Sequence, residues 1–342
     1  MPLLPQTSAY FDGVRLYLRR DADQEQGFAA DWEMGLEEAC RYLDQLGEYF
    51  RSHQGKKPAR FPSPVSLGVC GGEPFLRPND LDRLLTCSQR NQLIAEVWTT
   101  AAWVETEESV FKMLHGFVGR IHAILIYTTR QIIDLIGLES IELLVAAARK
   151  LGLGFSIHCA IGPDTPFPRD LLTLESINCD TSILQVVPLS SLTDGTRPPD
   201  PCGSFLLEEP PLRRRCAELF SFLIAPGGDV YPCSRGLGLP ALRLGSLRSE
   251  TVEVIIQRTI ENRALAKLRA DGPYYLYRAL KASKDGGLLY PGYVDSCHFH
   301  HHALTDPRLA EAVFHTEQTI GPELETAGPK LVQLETVKNR KD

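Results

Sequence analysis

The sequence predicts an α/β fold built on an all-parallel sheet. Three observations carry that expectation. Short apolar runs alternate with amphipathic stretches of helical length from residue 14 to about 190, six such units follow one another, and the texture changes to turn formers beyond them. Units of this kind assemble either as an open or partial (β/α) barrel or as a doubly wound sheet. In both, ligands sit at the carboxyl ends of the strands.

The strand-like runs are Val14–Leu18, Val65–Cys70, Leu93–Thr99, Ile121–Tyr127, Gly154–Cys159 and Ser182–Val187. Between them, Trp32–Phe50, Asn79–Arg90, Glu105–Gly116, Leu138–Leu151 and Arg169–Ile177 carry apolar residues at three- and four-residue spacing, which predicts helices. The stretch Ser191–Gly203 is rich in proline, glycine and aspartate and reads as a linker. Leu219–Ala225 and Asp229–Pro232 then flank Pro226-Gly227-Gly228, a hairpin signal. Helices are expected at Glu250–Ala270 and from Pro273 to Lys284. A loop rich in glycine, tyrosine and proline follows and runs into Cys297-His298-Phe299-His300-His301-His302. The polar end, 306–342, reads as a weak helix at Asp306–Thr316 and a flexible tail. No internal repeat is present.

The length of 342 residues, 43% hydrophobic and 23% charged, is ordinary for one large or two smaller globular domains. Lys+Arg 36 against Asp+Glu 43 leaves a net charge of -7, so the basic excess expected of a nucleic-acid binder is missing. No run reaches the roughly 18 apolar residues of a membrane span, and the first residues lack a signal peptide's basic and apolar regions. A cytoplasmic location is expected. Nine cysteines are too sparse for a disulfide scaffold and point to free thiols or metal ligands.

Two motifs carry chemistry. Val65–Cys70 runs into Gly71-Gly72-Glu73-Pro74, and a helix then opens near Asn79, which puts the glycine pair at a strand's carboxyl end. Two residues without a Cβ let a ligand approach the backbone, and the glutamate beside them can accept hydrogen bonds from an ammonium group. The plainer alternative is a tight turn with a surface glutamate. The second motif is Cys216, eleven residues, Gly228, four residues, Cys233. A hairpin turning at Pro226–Gly228 brings its flanks together and offers both thiols to one site. Tetrahedral zinc or a cubane cluster wants four ligands. Cys297 and an imidazole, His300 by C-x-x-H spacing or His298, are the candidates to complete the set. The alternative is buried thiols and a solvated polar loop. Cys202 is a spare ligand or none, and Cys40, Cys87, Cys159 and Cys179 read as core.

Together these segments resemble the radical SAM family, specifically members with a SPASM or twitch C-terminal extension. The resemblance spans residues 10–305. GGEPFLRPNDLDRLL resembles the family's GGE segment, and TTAAWV at Thr99–Val104 resembles its TN-A-x-W-A segment. LESIELLVAAARKLGLGFSIHCAIG resembles the helix and strand after the fourth strand. The hairpin is similar to the C-x(9–15)-G-x(4)-C element, YPCSRG followed by LRLGSL to the auxiliary-cluster loop, and GYVDSCHFH to a terminal segment ending C-H-x-C. The resemblance implies a partial (β/α)6 TIM-like barrel over 1–192 and a smaller C-terminal α+β metal-binding domain over 193–305. It further implies an S-adenosylmethionine (AdoMet) site at Gly71, Gly72, Glu73 and Thr99, and an auxiliary iron–sulfur cluster, or zinc, on Cys216, Cys233, Cys297 and His300.

The departures are equally informative. The family holds its catalytic cluster on C-x-x-x-C-x-x-C after the first strand. Here Arg19–Gly27 fills that loop without a thiol. Thr100 stands where the family has asparagine, Tyr127-Thr128-Thr129 where many relatives have S-x-D, and His300 where the final thiol falls. The combination reads as a degenerate member unable to cleave AdoMet, a binding or accessory subunit in peptide or cofactor maturation. Its expected partners are an active radical SAM enzyme or a peptide substrate, with no nucleic acid and no membrane. Two alternatives stand beside it: an enzyme with a non-standard cluster or non-radical AdoMet chemistry, for which His158 and Glu73 are the first acid-base candidates, and an α/β domain with a structural zinc.

Overall fold

A computed structural model describes residues 11, 13–18, 33–55, 61–161, 184–188, 221–233, 236–237, 239–262, 265–266, 268–269, 272, 274–289 and 296–312. The expected strands form as β1 (Gly13–Tyr17), β2 (Val65–Cys70), β3 (Leu93–Thr99), β4 (Ile121–Thr129), β5 (Gly154–Ile161) and β6 (Leu184–Pro188). All five pairings among them are parallel. Their spatial order is their chain order, so each strand lies beside its predecessor and no crossover reverses the winding. That order is the one of a partial barrel and excludes the doubly wound alternative. The helices between them are α1 (Leu36–His53), α2 (Pro78–Arg90), α3 (Glu107–His115), α4 (Arg130–Ile136) and α5 (Leu138–Lys150).

Right-handed crossovers in one winding sense put these helices on one face of the sheet. Strand alternation turns Val14, Leu16, Val65, Leu67, Val69, Ala95, Val97, Ile124 and Ile126 toward them, and all are buried in one cluster with Leu43, Leu46, Leu84, Leu114, Leu144 and Ala148 of the helices. The opposite, concave face carries Arg15, Ser66, Gly68, Glu96, Trp98, Leu125, Tyr127, Ser156 and His158, which apart from Gly68 are only partly buried. Gly68 has a local reason there: a Cβ would come 3.3 Å from Trp98 Nε1, so its absence lets the indole lie across the strand.

The hairpin forms at its predicted place, as β7 (Ser221–Ile224) and β8 (Asp229–Tyr231), with the short β9 (Gly245–Ser246) beyond. β7 pairs parallel with β1, and β8 and β9 add antiparallel strands outside it. The hairpin therefore continues the sheet of the barrel units, in the order β6-β5-β4-β3-β2-β1-β7-β8-β9. Every residue of β7 is buried, and Phe222 packs edge-on to Phe11 at 5.6 Å.

Three elements differ from expectation. The helix predicted over Glu250–Ala270 is continuous only as α6 (Val252–Glu261), capped by Thr251, whose hydroxyl accepts from the Val254 amide; α7 (Tyr274–Ala282) follows. The segment holding Cys297 to His302, with no helix expected from its sequence, is the helix α8 (Ser296–Thr305), whose Phe299 and Ala303 are buried against Leu276 and Leu280 of α7. A four-residue apolar spacing in that segment was masked by its histidines. Helix α4 starts directly at the end of β4, where the Thr129 hydroxyl accepts from the Ile132 amide and caps it. The helix expected at Arg169–Ile177 and the linker Ser191–Gly203 lie outside the described residues. No helix among the described residues is long and apolar enough to cross a membrane.

Candidate functional site

At the carboxyl end of β2 the chain turns through Gly71 and Gly72, with φ of 86° and 64°. Successive positive φ values are accessible to glycine at little cost and to other residues only with strain, which is the physical reason for the pair. The turn delivers Glu73 toward the end of β3. There both carboxylate oxygens lie 2.8 Å from the Thr99 hydroxyl, and Oε2 accepts from the Thr100 amide at 2.8 Å and the Thr100 hydroxyl at 2.9 Å. The Phe75 amide makes a longer contact to Oε1 at 3.4 Å. Glu73 thus joins the ends of two adjacent strands.

Thr99 is the hub of this arrangement. Its hydroxyl donates to Glu73 and accepts from the Ala101 amide at 3.0 Å and from Trp103 Nε1 at 3.1 Å. Ala101 holds a φ of 66°, which costs an L-residue about 1–2 kcal/mol, and the bonds on either side of it hold the turn. Trp103 packs on Phe75 at 4.7 Å between ring centroids, and Phe75 in turn meets Phe117 at 6.2 Å, so an aromatic floor lies under the polar turn. Burial pushes the Glu73 carboxyl above its ordinary value of 4.5, while the threonine and backbone donors pull against that rise.

Thr100, read from the sequence as a departure, is in the structure a double donor to Glu73. Its hydroxyl and its backbone amide both reach the carboxylate, a contact that spacing alone does not reveal. Each carboxylate oxygen has two lone pairs. Oε2 accepts twice from Thr100, whereas Oε1 has the long Phe75 contact and a share of the Thr99 proton.

On the concave face beside this turn, the Arg15 guanidinium lies 5.3 Å over the Trp98 ring, and Trp98 meets the His158 ring at 5.1 Å. His158 Nε2 is 3.1 Å from the Ser156 hydroxyl. His158 stands opposite Tyr127 on β5, whereas Glu73 follows β2, so the sheet places the two acid-base candidates on strands that are not neighbours.

The thiols among the described side chains separate into three places. Cys70 ends β2 on the concave side, its thiol donating to the Leu16 carbonyl at 3.4 Å and pushed up to about 12 by burial. Cys40 and Cys87, expected as core, are half-buried, pack against the core and face each other between α1 and α2. Cys233 is buried just after β8, and the Gly236 amide donates to its sulfur at 3.2 Å. Cys216 lies outside the described residues. Cys297 and His300 fall on α8, but their side chains are not among those described. Among the described residues no three His, Cys, Asp or Glu side chains gather in a metal-binding group.

No protein-family model and no curated protein sequence matches the chain. Solved structures do. The native anSMEcpe structure with bound AdoMet and Kp18Cys peptide aligns with a TM-score of 0.54 at 12% identity, covering 89% of this chain and 99% of that one. The native anSMEcpe with bound AdoMet alone aligns at 0.51 and 12% identity, over the same 89% and 99%. At such identity the likeness is one of fold: the chain shares the partial-barrel α/β fold of those structures.

Proposed function

We propose that this chain is a non-catalytic radical SAM homologue that binds the amino-acid end of AdoMet without cleaving it and acts as a binding or accessory subunit in peptide or cofactor maturation. The observation that carries the reading is a mismatch between two ends of adjacent strands. The Gly71-Gly72-Glu73 turn forms, with only one long amide contact and a shared Thr99 proton on Glu73 Oε1, whereas the sequence after β1, Arg19–Gly27, holds no cysteine. A site-differentiated cubane needs three thiolates. Cys40 and Cys87 sit on the helix side of the sheet and Cys70 on the concave side, so these three do not supply them. In this reading the turn suits the amino-acid end of the ligand, and neither the sequence after β1 nor the described thiols offer the three thiolates a cubane needs.

In this reading Gly71 and Gly72 expose backbone to the ligand's amino-acid end, and Glu73 holds the ammonium while Thr99 and Thr100 fix the carboxylate's orientation. The C-terminal part, 193–305, is proposed to carry an auxiliary iron–sulfur cluster or zinc on Cys216, Cys233, Cys297 and His300. What supports this is the Gly236 amide aimed at the Cys233 sulfur, because N–H donors to a thiolate are a standard means of tuning a cluster. A peptide partner is supported by the peptide present in the anSMEcpe structure that shares the fold.

Calorimetric titration tests the binding half. AdoMet and S-adenosylhomocysteine are expected to bind the wild-type chain, and Glu73→Gln to weaken both about tenfold or more, the worth of a hydrogen bond to a charged group. An analogue lacking the amine should lose affinity on the wild type and show no further loss on the variant. Absence of binding to the wild type contradicts the proposal.

A further inference from the structure

Helices α1 and α2 meet along a seam of paired side chains, one pair for each turn. Glu37 bonds Arg83, Cys40 meets Cys87, and both oxygens of Asp44 accept from Arg90 Nη2, at 2.6 and 2.7 Å. One turn further, Gly47 leaves the space that Asn91 fills, since a Cβ there would lie 1.9 Å from Asn91 Oδ1. Asn91 Nδ2 donates to Asp44 at 2.7 Å. The seam runs in register, because both chain positions advance together along it.

At its centre the Cys40 and Cys87 sulfurs are 2.6 Å apart. That is well inside the contact distance of two unbonded sulfurs. It is also too close for a shared metal ion, since two sulfurs at about 2.3 Å from one tetrahedral zinc stand about 3.7 Å apart. Both residues are partly exposed, so a small molecule can reach them.

From this juxtaposition we propose that Cys40 and Cys87 form a modification site, a dithiol that closes reversibly to a disulfide with a low-molecular-weight disulfide such as oxidised glutathione as the oxidant. One protein thiolate attacks a sulfur of the small disulfide and expels a thiolate, leaving a mixed disulfide. The second protein thiolate then attacks the protein sulfur of that intermediate and expels the other. The protein loses two protons and two electrons, and the oxidant leaves as two thiols. The neighbouring ion pairs and the Asn91 bond already fix both helices, so closure asks for little movement. Burial, and after it the Cys87 sulfur, push the Cys40 thiol up to about 12, so closure speeds up as pH rises above neutrality. The cross-link ties α2, which follows the Gly71–Glu73 turn, to α1, and does not depend on whether AdoMet binds.

Full-length reduced protein treated anaerobically with oxidised glutathione at mildly alkaline pH, then digested without reduction, tests this. A peptide pair joined through Cys40 and Cys87 is expected, with a thermal midpoint raised by about 5 °C or more and restored by reductant. Cys40→Ser and Cys87→Ser, checked for native circular dichroism, should each give a glutathione adduct on the remaining thiol and no rise. Two thiols that both remain open to alkylation in the treated wild type, a link from either to a third cysteine, or a rise that persists in Cys40→Ser would overturn the proposal.

Discussion

Glu73→Ala is expected to lower the stability of the fold by about 2–3 kcal/mol and to abolish AdoMet binding, measured by urea denaturation and calorimetry. The carboxylate satisfies the Thr100 amide, the Thr100 hydroxyl and the Thr99 hydroxyl, and Thr99 is buried. Removing the acceptor strands those donors, and a buried donor without a partner costs about 1–3 kcal/mol, moderated where water enters the vacated space. The same bonds hold Ala101 at positive φ, so the turn relaxes with them. A pH dependence follows as well. Because burial raises the Glu73 carboxyl above 4.5, the folded chain holds that proton more tightly than the unfolded chain. Its contribution to stability is complete below pH 4.5 and declines as pH rises through the folded value. Glu73→Gln should remove that part of the decline.

The second large effect is expected at the hairpin. Gly228→Ala should cost about 3–4 kcal/mol, read from the urea midpoint, whereas Gly227→Ala should cost only about 1 kcal/mol. Both glycines have positive φ, 88° at Gly227 and 83° at Gly228, so both variants carry backbone strain. They differ in surroundings. A Cβ on Gly227 meets nothing within 4 Å, while one on Gly228 would lie 2.2 Å from the Tyr42 hydroxyl and 2.8 Å from its ring carbon Cζ. Tyr42 is fully buried and cannot swing aside without breaking its 2.7 Å bond to Glu38, which also pairs with Arg248 beyond β9. Equal costs at the two glycines would mean that the hairpin is not seated on α1.

The barrel half was legible because its elements are local. Val65–Cys70 and Leu93–Thr99 are apolar runs of strand length between turn formers, and α2 and α5 have clean three- and four-residue spacing. The hairpin was legible for the same reason, through Pro226-Gly227-Gly228. Its place in the sheet was not, because the pairing of β7 with β1 joins the two ends of the barrel sequence and no local pattern encodes it. The same limit hid the Cys40–Cys87 contact, which depends on how two helices meet across β2 rather than on either helix alone. At the site, the glycine pair and Glu73 announced a ligand-facing turn. The part played by Thr100 needed the register of β2 against β3, since only that brings its amide to the carboxylate. The cluster of histidines drew attention away from Phe299 and Ala303, whose spacing makes their segment a helix.

The central proposal is that the Gly71–Glu73 turn binds the amino-acid end of AdoMet while Arg19–Gly27, after β1, supplies no thiolate to anchor a cluster able to cleave it. Anaerobically prepared protein, reconstituted with iron and sulfide, reduced with dithionite and incubated with AdoMet, tests this most directly through the amount of 5'-deoxyadenosine released. The account predicts none above the protein-free control, with AdoMet recovered intact, whether or not an auxiliary cluster is present. Release of 5'-deoxyadenosine in proportion to protein would contradict it.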